Sequence, residues 1–302
     1  MRIPFDAVAD AFKMGVSAQQ QSDEPLRVSV YVDGSASAYL IDAIRSAMVP
    51  QTIGGLVRVS RLTAELEPKA DSDLAIVVSC GSSMLEAACH RLVIAGSPTV
   101  VVCESRDDAP FIERDTPMLG LVASREEGVL LHRLACWVLD RTDKPQAFAA
   151  NFPFMRATAS RGVVAATALS NAVTGALTIV PGADFPVMTL AQLGMMAKLA
   201  SMYDKPMRFE RLYDAAGVAV AGLGLRALSR SLAPRAGRAA FAVKASIGGL
   251  GTIAMGIALM ELYARDIDYG PANRVVRNAV DAVRDAVAPA DGVASVSAEY
   301  LD

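Results

Sequence analysis

Between residues 26 and 141 the apolar positions fall into short, compact runs separated by helical spacings. Residues 26–33 (LRVSVYVD), 73–79, 99–103 and 118–123 are nearly continuous in Val, Ile, Leu and Ala, the pattern of strands buried on both faces. Residues 57–62 alternate and predict a strand at a sheet edge. Leu40, Ile41, Ile44 and Met48 place a helix over 38–48, a serine cap begins another over 82–95, and a third covers 126–139. Such an alternation predicts a mostly parallel sheet flanked by helices, with ligands bound at the carboxyl ends of the strands. The loops after Asp33, Ser79, Cys103 and Ala123 are where a site belongs. Ahead of the sheet, Phe5, Val8, Phe12 and Val16 recur at helical spacing, and Asp6 and Asp10 interrupt any apolar run, which argues against a secretory signal. This amphipathic helix is expected to dock on the protein's own core, with attachment to a membrane surface as the alternative.

A polar linker is expected at 142–146, and beyond it the pattern changes. Residues 162–183 carry no charge, a length that could cross a bilayer but with Thr, Ser, Asn and Gly that make a poor span. Helices follow over 186–203 with Thr189 as its cap, from Pro206 to about Leu232, over 238–264 after a break at Pro234, and over 271–287. The fold class is therefore α/β plus all-α, with an α/β domain at 1–145 and an apolar helical bundle at 146–302. Gly248, Thr252 and Gly256 recur every four residues, and such spacing lets helix backbones approach closely. Gly217, Gly222 and Gly224 stud the preceding helix.

No Asp or Glu occurs between Asp214 and Glu261, while Arg226, Arg230, Arg235, Arg238 and Lys244 gather around Pro234. A basic turn between apolar helices suits anionic headgroups. A merely solvated basic turn is the alternative. The uncharged stretches on either side, 215–225 and 245–260, are shorter than the roughly twenty residues a span needs. Attachment at the cytoplasmic face of the inner membrane is the favoured expectation, and integral insertion through 162–183 the other.

Composition narrows the function classes. Hydrophobic residues make up 53% and charged residues 20% of the 302, and mean hydropathy is +0.34, so a large core can be buried. A net charge of −3 argues against nucleic acid as a partner. Cys80, Cys89, Cys103 and Cys136 form no CxxC pair, and His90 and His132 have no second ligand at zinc-type spacing, so all four thiols are expected reduced and buried, with no metal and no cofactor. Cys80 stands before a helix start, where a thiolate would be stabilised, but no base can be assigned to it from the sequence.

Two resemblances add to this reading. The run SDLAIVV, a helix, SPTVVVCES, then LGLVASREEGVLLHRLACWVLD looks like the second half of an Era-like GTPase domain. Ala123, Ser124 and Gly128, followed by Leu130, Leu131, Leu134 and Leu139, match the end of that pattern. The guanine-reading NKxD position holds Cys103, Glu104, Ser105 and Arg106 instead. The first loop, VDGSASAYLID, lacks the lysine and second glycine of a phosphate-binding loop, and Asp33 would repel phosphate. The resemblance thus implies a degenerate, non-hydrolysing domain. At most a small anion would sit at Gly34, Ser35 and Ser37, before the next helix.

In the second half, VPGADFPVMTLAQLGMMAKLASMYDKP and SLAPRAGRAAFAVKASIGGLGTIAMGIALMELY are similar to the YcjF-type domain of unknown function, a bacterial helical family associated with GTPase domains. That resemblance implies a protein partner, a GTPase among the candidates. The combined expectation is a non-enzymatic protein that binds a partner at a membrane surface. A ligand-binding or enzymatic α/β domain using Ser35, Ser37 or Cys80 is a further alternative, and homo-oligomerisation stays open.

Overall fold

A computed structural model describes residues 5–63, 65–177, 184–205 and 211–265. The helix expected at 271–287 lies outside the described residues. The chain begins with α1 (Phe5–Ser22) and then alternates: β1 (Leu26–Val32), α2 (Ala38–Ala47), β2 (Gly55–Arg61), β3 (Leu74–Val78), α3 (Leu85–Ile94), β4 (Thr99–Cys103), β5 (Leu119–Ala123) and α4 (Glu127–Leu139). The strands form one sheet in the order β2-β1-β3-β4-β5, every pair parallel. β2 lies at the edge, as its alternation predicts, and leaves Val59 exposed.

Period-two alternation sorts the strand residues onto two faces. Leu74, Ile76 and Val78 of β3 join Leu40 and Ile44 of α2 and Leu130 and Leu134 of α4 in one core. Ala75 and Val77 face the other way, against Leu85, Ala88 and Leu92 of α3. Both faces are covered, which is why the central strands are apolar at every position.

The helical half consists of α5 (Pro145–Asn151), α6 (Pro153–Leu177), α7 (Asp184–Met202), α8 (Arg211–Leu232) and α9 (Ala240–Ala264). The expected linker is not one. Pro145 opens α5, Gln146 is buried, and the Lys144 ammonium lies 2.8 Å from Asp73. Phe148 and Phe152 then enter the α2/α4 face of the sheet core together with Met155 of α6. The apolar content of this short helix is what turns the junction into packing surface. α1 docks on α5 and α7, with Ala18 buried and Met14 reaching Gly194.

α6 and α9 run antiparallel in close contact. A Cβ on Gly248 would stand 2.8 Å from the Asn171 carbonyl oxygen, one on Gly256 2.5 Å from Val164, and one on Gly175 2.9 Å from the Lys244 carbonyl. The small residues spaced along α9 are thus the ones that meet α6. Two capping expectations fail. α3 starts at Leu85 with no side-chain cap, because Ser82 lies buried near Asp33 instead. α7 starts at Asp184, so Thr189 is an interior residue whose buried hydroxyl has no partner.

Candidate functional site

Two places collect chemistry. The first is the point in the sheet where the connections diverge, between the carboxyl ends of β1 and β3, the usual ligand crevice of this architecture. Asp33 ends β1 and is only 3% exposed. Its Oδ2 accepts hydrogen bonds from the Ser79 hydroxyl at 2.6 Å and the Ser35 hydroxyl at 3.1 Å. Burial pushes the Asp33 carboxyl up. The hydroxyls of Ser79, Ser82 and Ser35, with the Ser35 backbone N–H, outweigh it and hold the pKa below the ordinary carboxylate value. The group is therefore charged at neutral pH.

This carboxylate takes up hydroxyls that an anion in the loop would need. Ser35 Oγ also accepts from the Cys80 N–H, and Ser79 Oγ from the Gly81 N–H, each at 3.1 Å. Ser37 caps α2, accepting from the Leu40 N–H at 3.4 Å. Of the expected anion-site residues Gly34, Ser35 and Ser37, both hydroxyls are thus engaged within the protein. One cation the loop's own sequence lacks is supplied by β2: Arg61 Nη2 stands 3.7 Å from where a Cβ on Gly34 would lie. Strand pairing alone places it there, so inspection of the loop could not find it.

The cysteines do not form a reactive centre. Cys80 is half-buried at the end of β3, and neither histidine is bonded to it. Cys89 and Cys103 are buried, and burial pushes both thiols up to about 12. Cys136 is exposed, correcting the expectation that all four are buried: it lies on the outer face of α4, 3.8 Å from His132 Nε2. All four are free. Among the described residues no cluster of three His, Cys, Asp or Glu could hold a metal.

The second place is the α8–α9 hairpin. α8 and α9 are joined by a 3-10 turn, Ala233–Ala239, in which Gly237 adopts φ 52° and ψ −118°, a conformation that favours glycine. At the far end the hairpin is closed by the Tyr263 hydroxyl, which donates to Asp214 at 3.2 Å. Arg226 and Arg230 lie on the last turns of α8, Arg235 and Arg238 in the turn, and Lys244 on the first turns of α9. The structure gathers them at one end of the hairpin. Leu228, Leu232 and Phe241 stand beside them at 46%, 39% and 61% exposure. The stretch Asp214–Ala264 is apolar and long enough to cross a membrane by length and composition, although Gly237 breaks it into two helices. Of its most apolar window, 28% is buried.

A polar network ties this hairpin to the bundle. Thr252 of α9 donates to the Gly248 carbonyl at 2.7 Å and accepts from Asn171 Nδ2 at 2.8 Å and Gln192 Nε2 at 3.2 Å. Asn171 lies in the uncharged stretch of α6, and Gln192 lies on α7. Their meeting at Thr252 depends on three helices converging. No protein-family model matches the chain, and no curated protein matches it.

Proposed function

We propose that the chain is a non-enzymatic binding protein that attaches peripherally to anionic membranes through the tip of its α8–α9 hairpin, leaving the α/β half to meet a protein partner. One observation carries the reading: five basic residues with no acidic residue between 215 and 260, set beside exposed Leu228, Leu232 and Phe241. Each basic residue near an anionic surface contributes about 1 kcal/mol, and exposed apolar side chains add the hydrophobic anchor. The engaged donors around Asp33 support a non-hydrolytic role for the α/β half, because a phosphate there would displace an internal carboxylate.

Vesicle flotation tests the attachment. Co-flotation with phosphatidylglycerol-containing but not zwitterionic vesicles is expected, with release at high salt and loss in the folded double variant Arg235→Glu, Arg238→Glu. Equal flotation on both vesicle types, or none, overturns it. Magnesium-dependent retention of GTP by the purified protein would overturn the non-hydrolytic part. A second reading, insertion of the hairpin, is favoured by the length and hydropathy of Asp214–Ala264. Resistance to alkaline carbonate extraction would select it over peripheral attachment.

A further inference from the structure

Behind the hairpin tip lies a cavity of about 610 Å³ between α6, α7, α8 and α9. The volume falls in the range of small-ligand sites. Met188, Leu225 and Ile247 line its apolar part, and Arg230 and Lys244 its basic part. On one face of α7, three residues apart, Thr189 and Gln192 also line it, and each carries a buried oxygen without a hydrogen-bond partner.

Gln192 is 2% exposed, and its orientation is dictated by its neighbour. The single proton of Thr252 goes to the Gly248 carbonyl, so Thr252 can only accept from Gln192. The amide must therefore turn its nitrogen to Thr252, which leaves Oε1 as a fixed, unsatisfied acceptor. Buried acceptors without donors are rare in folded proteins and destabilising where they occur. Such an acceptor, on a residue that lines a cavity with an apolar and a basic part, fits a ligand that brings a donor, an apolar body and a negative charge.

We propose that this cavity binds one molecule of a monoacyl glycerol phosphate or a close chemical equivalent: its phosphate at Arg230 and Lys244, a glycerol hydroxyl donating to Gln192 Oε1, and its acyl chain along Met188, Leu225 and Ile247. The site goes beyond surface attachment, since it is discrete, saturable and open to a ligand dispersed in water as well as one drawn from a bilayer.

Calorimetric titration of the full chain with a monoacyl glycerol phosphate below its micellar concentration tests it. The neutral monoacylglycerol and inorganic phosphate serve as separate arms. Saturable binding at one molecule per chain is expected, weakened about tenfold by Gln192→Met through loss of one hydrogen bond. Lys244→Ala and Arg230→Ala should weaken it similarly, and they serve alone if Gln192→Met does not fold. Inorganic phosphate binding as tightly as the lipid overturns the amphiphile. Absence of saturable binding, or affinity indifferent to all three substitutions, overturns the site. Flotation on anionic vesicles without calorimetric binding would remove the cavity ligand while leaving membrane attachment intact, and the reverse result would do the opposite.

Discussion

The two halves of this molecule are held together differently. The sheet half closes on large side chains: Phe148, Phe152, Leu40, Ile76 and Leu134 are fully buried, and the Ser79 and Ser35 hydroxyls bond Asp33 at its strand ends. The helical half is held by the absence of side chains, with glycines on α9 letting α6 approach and a threonine–amide network at the seam. It leaves Leu169, Leu177, Val220 and Leu250 each more than 60% exposed, and two oxygens on α7 unpaired. The sheet half has exposed and unpaired groups of its own, Val59, Ile94 and the Tyr31 and Tyr39 hydroxyls among them, but in the helical half two unpaired oxygens stand on one face of α7 beside a cavity.

Phe148→Ala removes a ring shared between α5 and the sheet, and a loss of about 3–5 kcal/mol in urea unfolding is expected. A loss below about 1 kcal/mol would show that α5 is not integral to the sheet core. Gly248→Val comes next, at about 1–3 kcal/mol, because its new Cβ meets the Asn171 backbone carbonyl, which cannot give way as the equally close Met188 methyl can. The single tryptophan, Trp137, lies in the sheet core and reports that half, while far-UV circular dichroism is dominated by the helices. Because Phe148, Phe152 and Met155 bind the halves, the two signals should shift together in Gly248→Val. A shift in dichroism alone would break the coupling.

Smaller effects sharpen the contrast within the sheet half. Asp33 and Asp71 both titrate below the ordinary carboxylate value in the folded state, Asp71 at about 2 through its paired bonds to Arg58. A depressed folded pKa gives stability that is complete above the unfolded value near 4 and fades as pH falls through the folded one. Stability measured between pH 5 and about 2 should therefore decline, and less steeply in Asp33→Asn. Arg58→Ala should cost little stability at neutral pH, because the pair with Asp71 is exposed to solvent. A larger cost would mean that the β2 edge is held by this pair.

Local pattern was enough for much of the architecture. Strands buried on both faces must be apolar at every position, so their limits were legible to within two residues, and the alternation of β2 marked it as an edge. The four-residue spacing of Gly248, Thr252 and Gly256 announced close helix packing for the same reason: periodicity is a property of the element itself. What periodicity cannot carry is the identity of neighbours. Whether Ser82 caps a helix or faces Asp33, whether Thr189 starts α7 or lines a cavity, and whether 142–146 links or packs were each settled by groups remote in sequence. The Arg61 guanidinium beside Gly34 and the unpaired Gln192 oxygen belong to the same class. Hydrogen bonds and charge act over a few ångströms in space, and only the closed tertiary structure decides which residues share that distance.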